Sequence, residues 1–219
     1  MNNQTKKTAQ DYQLIATAHH ESGHAIIGLL CGMQISGLGV DSGSDNDAGY
    51  THYDIVPYDQ IATDDLFNKF LYDELYINYA GLASEKIYYK DISGSDKLPM
   101  FLKYGSWLDL QQASELIKKY NLASPGKKRF QLKKNIFNET SQLLIEYWDD
   151  VKLLAHTIYK RKKINGSDVK NLLTKKSVNK EFWKKQFKKI NLIFNSGKIV
   201  NTENNSILDI EQLRVIIKK

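Results

Sequence analysis

The sequence predicts a mainly α-helical domain with one small β-hairpin beside its first long helix. Three observations carry that expectation. Apolar residues recur at helical spacing through most of the chain. Strand character is confined to residues 34–40 and 49–56, with the polar turn Asp41-Ser42-Gly43-Ser44-Asp45-Asn46-Asp47 between them. From about residue 128 onward the pattern is helical throughout.

The elements follow in order. Residues 1–11 are polar and read as a disordered N-terminus. A helix is expected over 12–31, with Asp11 as its N-cap and Gly32 as its stop. Inside it stands His20-Glu21-Ser22-Gly23-His24, the pattern H-E-x-x-H. Residues i and i+4 share one helix face, so His20 and His24 can reach one zinc ion. Glu21 can then take a proton from a zinc-bound water. The flanks are apolar (Leu14, Ile15, Ala16, Ala18, then Ala25, Ile26, Ile27, Leu29, Leu30), which carries the motif into the interior. Buried imidazoles and a buried carboxylate are costly unless something binds them.

The hairpin at 34–56 lies next in sequence and is placed to hold an extended peptide by strand addition. Its Asp-rich turn lacks the downstream Glu of an EF-hand loop, so calcium is not expected. Asp64 opens a helix through Leu66, Phe67, Phe70, Leu71, Leu75, Tyr79, Leu82, Ala83 and Ile87. Its small-residue section, Ala80-Gly81-Leu82-Ala83-Ser84, lets the motif helix come close, and puts Glu85 on a face toward the motif. Residues 90–106 read as a long loop, and a helix starting near Ser106 carries Asp109. Ile136, Leu143, Leu144, Tyr147, Trp148, Val151, Leu154, Ala155 and Ile158 predict one long amphipathic helix. Residues 164–168 break it, with Ser167 as the cap of a short helix. Residues 176–219 form a basic, helical C-terminal extension with no clear place in the fold, and no internal repeat is present.

Composition bounds the function class. With Cys31 as the single cysteine there is no internal disulfide, which points to a reducing compartment. The start of the chain lacks a signal peptide's apolar run, and no stretch approaches the roughly 20 apolar residues of a membrane span. A soluble cytoplasmic protein is the expectation. The net charge of +6 hides an asymmetry: residues 1–117 hold 7 Lys/Arg against 16 Asp/Glu, and residues 118–219 hold 24 against 9. The basic half would attract nucleic acid or an acidic protein. The plainer reading, solvated helix faces, is preferred.

Three blocks occur in a telling order: HHESGHAIIG, YAGLASEKIYY and GSWLDLQQASELIKKYNL. Together with IEYWDDVKLLAHTIYKRKKINGSDVKNLL they resemble the peptidase domain of the FtsH-type, ATP-dependent zinc metalloproteases, over roughly residues 12–175. The resemblance implies a zinc endopeptidase in which His20, His24 and Asp109 bind the metal. Glu21 would be the general base and Glu85 a group that orients a ligand. It also implies a protein or peptide substrate that is flexible or unfolded.

Departures from that family stand beside the resemblance. No Walker-type Gly-x-x-x-x-Gly-Lys occurs, so a separate ATPase unfoldase would have to deliver folded substrates. Trp107-Leu108 replaces the small residues that usually precede the aspartate. Hexamer formation need not transfer, and the oligomeric state stays open. The alternative function is a non-catalytic module that keeps this fold and binds through its basic half. Of the other histidines, His19 reads as structural or exposed, His52 as a strand-surface residue and His156 as part of a polar helix face. Cys31 reads as a small apolar packing group.

Overall fold

The first helix, α1 (Ala9–Leu30), is wrapped by the other elements and buried nearly all round. Ala18, Ala25, Ile26, Ile27 and Leu29 have no exposed surface. A helix apolar on every side belongs in an interior, and each large side chain so buried contributes about 1.5–3 kcal/mol. The structure, a computed structural model, describes residues 9–40, 49–54, 64–95 and 106–196. Among the described residues there are seven helices and three strands, so the mainly α expectation holds.

The helix starts earlier than expected. Asp11 is not its N-cap but lies in the first turn, where helix N–H groups equally favour a carboxylate. It stops where expected: Gly32 has φ +90°, a left-handed conformation that suits glycine. Residues 1–8 of the expected disordered terminus, the Asp41–Asp47 turn and the apolar run Ile207–Ile217 lie outside the described residues.

The sheet has three strands in the order β2-β1-β3, all antiparallel. β1 is Gln34–Val40 and β2 is Gly49–Asp54. The register of their ladder shifts between Ile35 and Gly37. That irregularity at Ser36 changes the side-chain phase, so Ile35 before it and Leu38 and Val40 after it all face the core. β3 (Lys163–Asn165) was not expected, since three residues are too few to show alternation. Only its pairing with Gly37–Gly39 reveals it.

The second helix, α2 (Asp64–Ser93), crosses α1 closely. At Gly23 a Cβ would lie 2.6 Å from Ser84 Cβ and 2.8 Å from the Ala80 carbonyl oxygen. Glycine there, and small residues opposite, let the two backbones meet. α2 also continues past residue 89, where the long loop was expected to begin. α3 (Trp107–Lys119) packs on α2 through Ala113 and Ile117.

The single long helix expected over residues 128–158 is two helices, α4 (Lys127–Glu146) and α5 (Trp148–Arg161), with Tyr147 between them. Buried positions run 136, 140, 144, then 150, 151, 154, 155, 158, with no phase change at the break. Periodicity therefore cannot show it. A straight helix of that length would span about 46 Å; the turn lets both halves pack on the body. Tyr147 is held there by ring contacts with Phe182 and Trp183.

The next helix, α6 (Gly166–Lys176), is capped by Asn165 rather than Ser167. The Asn165 side chain accepts from the Asp168 backbone N–H, while the Asp168 carboxylate accepts from the Asn165 N–H. The last described helix, α7 (Lys180–Ser196), lies in the C-terminal extension. It shares the main core: Trp183, Phe187 and Ile190 join the cluster that holds Ile27 and Leu29. The Trp183 indole N–H and the Asn179 amide both donate to Asp150 Oδ2, at 2.9 Å each.

Candidate metal centre

Three elements bring the centre together: α1 supplies His20, Glu21 and His24, α2 supplies Glu85, and α3 supplies Asp109. Neighbours grip the motif helix by its carbonyl oxygens. Ser84 donates to that of His19 (2.6 Å) and Tyr53 to that of His24 (2.7 Å), and the Thr51 hydroxyl lies 3.0 Å from that of Glu21. Glycines open the space. Gly28 accommodates the Tyr53 ring, Gly49 the Glu21 carboxylate and Gly81 the His20 imidazole.

The tautomers of the two imidazoles follow from their partners. His20 Nδ1 lies 3.0 Å from Glu85 Oε1, and His24 Nδ1 lies 2.8 Å from the Ile77 carbonyl oxygen. A carboxylate and a carbonyl only accept, so both Nδ1 atoms carry the proton and donate. Each neutral ring then turns a lone pair at Nε2 inward. The two Nε2 atoms are 2.9 Å apart, and Asp109 Oδ2 is 3.1 Å from that of His20 and 3.3 Å from that of His24. Asp109 Oδ2 is buried with no hydrogen-bond donor. Three electron-rich atoms thus face one another with no hydrogen between them. Such a group needs a positive charge at its centre, and His20, His24 and Asp109 could hold a metal ion.

Without a metal, a proton answers the same demand. Burial alone would lower the pKa of His20. Hydrogen bonds to Asp109 and Glu85, with the charges of Glu85 and Glu21, outweigh burial and raise it well above its usual value. Burial alone would raise the pKa of Asp109, yet the two imidazoles hold it below the carboxylate range.

Glu21 is buried beside this group, and its Oε2 accepts from the Thr51 hydroxyl at 2.8 Å. Glu85 is buried on the other side of His20, with Ser106 donating to its Oε2 at 3.2 Å. Sequence reasoning missed Ser106, Thr51, Tyr53 and the Ile77 carbonyl. Ser106 stands in the third block but only as the start of its helix, the other three lie in no block, and a backbone acceptor carries no sequence signal at all. Trp107 and Leu108 are exposed just before Asp109.

The remaining candidates stand apart. His19 is buried, stacked on Tyr88 with ring centres 4.1 Å apart, and donates to the Ile15 carbonyl. Burial lowers its pKa to about 4, so it is neutral at pH 7. His52 is exposed on β2 and His156 on α5. Cys31 packs partly buried against the core, and burial raises its thiol pKa.

No protein-family model matches the sequence, and no curated protein matches it. Among the described residues, no helix is long and apolar enough to cross a membrane.

Proposed function

We propose that this chain is a zinc-dependent endopeptidase, similar to the FtsH-type peptidase domain, that hydrolyses peptide bonds in flexible or unfolded proteins. The observation that carries the reading is the triangle of His20 Nε2, His24 Nε2 and Asp109 Oδ2. Its edges are 2.9, 3.1 and 3.3 Å. Tetrahedral ligands at about 2.0–2.2 Å from zinc lie about 3.3–3.6 Å apart, so small movements suffice. Two imidazoles and one carboxylate are also a known hydrolytic donor set for zinc, with a position left open.

A zinc ion held there would lower the pKa of its water to about 7 and polarise a peptide carbonyl. The chain's own groups do the rest. Glu21 accepts the proton of the attacking water and passes it to the leaving amine. Thr51 fixes the Glu21 carboxylate through Oε2, leaving Oε1 for that proton. Glu85 and the Ile77 carbonyl hold the two imidazoles in the tautomer that presents Nε2. An extended, flexible peptide is the substrate this reading implies.

The test is Glu21→Gln. It should lower hydrolysis of an unfolded protein such as casein by about 10²–10⁴-fold, the contribution of general-base catalysis. Metal content should stay at one ion per chain. Retained activity would refute the assigned mechanism.

One observation favours the non-catalytic alternative. Residues 160–189 hold 12 Lys/Arg and only 2 acids, and both acids are occupied, Asp168 in the α6 cap and Glu181 with Lys184. Salt-sensitive retardation of nucleic acid by a chain that takes up no zinc would favour it.

A further inference from the structure

We infer that Ser106 is a positioning residue of the metal centre: through Glu85 it sets the imidazole of His20, and so ties α3 to the ligand on α1. The inference rests on the metal reading above and adds a residue to it.

The position of Ser106 would ordinarily give it another task. It stands at the N-cap of α3, where a serine normally accepts from the helix's own free N–H groups. Here its side chain makes no capping bond. It is fully buried, and its hydroxyl donates to Glu85 Oε2 instead. The helix thus forgoes a cap worth about 1 kcal/mol for a contact with the residue that holds His20.

The contact matters because of what Glu85 lacks. Its carboxylate is buried, with Oε1 accepting from His20 Nδ1 and Oε2 from Ser106. Removing the hydroxyl leaves Oε2 buried and without a donor. The carboxylate must then turn to find another donor, and that weakens its hold on His20 Nδ1. A less firmly oriented imidazole is a poorer ligand at Nε2. Partners of metal-bound histidines commonly contribute 10–100-fold to metal affinity.

Ser106 also sits three residues before Asp109, one helical turn away. Its anchor on Glu85 therefore fixes the start of α3 against α2, within a turn of the carboxylate that completes the triangle. One hydroxyl couples two of the three ligands. By contrast Ser114, further along α3, is spent on the Leu110 carbonyl and as acceptor for Lys133.

The experiment measures Zn²⁺ affinity by chelator competition, and the visible spectrum of the Co²⁺-loaded protein, for the full chain and its variants. Ser106→Ala should weaken Zn²⁺ binding about tenfold and shift the Co²⁺ bands. Ser106→Thr, which keeps the hydroxyl, should stay within about threefold of the parent, and Ser114→Ala should match it. Circular dichroism checks each fold; if Ser106→Ala does not fold, Ser106→Cys, a weaker donor of similar shape, should show the same loss. Parent-like affinity in a folded Ala or Cys variant overturns the assignment. So does an equal loss in the Ala and Thr variants, which would mark a packing role rather than a hydroxyl. A parent chain that takes up neither ion refutes the metal reading itself, an outcome distinct from any difference between variants.

Discussion

Replacing Gly81 with Ala tests the geometry of the centre at the place where it has least room. A Cβ at Gly81 would lie 2.3 Å from His20 Cε1 and 2.4 Å from Nε2, where ordinary contact begins at 3.4 Å. The ring must therefore move by about 1.1 Å, or α1 and α2 must part. Neither is easy. The ring is tethered at Nδ1 by Glu85, and the helices already touch at Gly23.

Two effects oppose each other in the stability of the metal-free chain. Alanine in mid-helix gains about 1 kcal/mol over glycine, and overpacking costs about 1–3 kcal/mol. The net change should be a loss of about 0–2 kcal/mol. Metal binding has no such compensation, because ligand distances tolerate only about 0.2 Å. We expect Zn²⁺ affinity to fall at least about 100-fold.

Thermal melts with and without the ion read this directly. At a free concentration of 100 Kd for the parent, the ion adds about 2.7 kcal/mol. A 100-fold weaker site adds only about 0.4 kcal/mol at that concentration. For a domain of this size that is about 5–10 °C of added Tm in the parent against about 1 °C in the variant. Gly37→Ala, where a Cβ meets nothing nearer than 3.7 Å, is the control. A Gly81→Ala chain with the parent's metal-induced shift would refute the placement of His20 against α2.

Two further outcomes are expected. His19 is buried neutral with its pKa depressed by burial to about 4, against 6.5 when unfolded, so its contribution is full above pH 6.5 and lost as pH falls toward 4. That loss reaches about 3 kcal/mol; His19→Phe, which keeps the stack on Tyr88, should flatten the fall in Tm over that range, and an unchanged slope would refute the assignment. Trp183→Ala should destabilise the chain by about 3–5 kcal/mol, because the indole fills the core and binds Asp150; a change under about 1 kcal/mol in urea unfolding would mean that α7 is not part of the core.

Much of the centre was legible in the motif. His20 and His24 share a face by helix geometry alone, and Glu21 follows from its place beside His20. Glu85 was reached through the small-residue section of its helix, and Asp109 only through the order of three blocks, since nothing in local spacing links residue 20 to residue 109. Errors fell where local pattern is silent. The break at Tyr147 keeps the apolar phase, β3 is too short to show a period, and Asn165 takes the cap because its neighbour Asp168 completes the reciprocal pair.

By itself the sequence determined the helical class, the motif helix, its glycine stop and the two-strand ribbon, because each follows from contacts a few residues apart. Tertiary structure alone decided the rest. It committed both Nδ1 protons to Glu85 and Ile77 and turned three lone-pair atoms toward one point. It also drew Trp183 into the core. Those outcomes depend on distances between residues 50 to 160 positions apart, which no local rule of propensity or periodicity encodes.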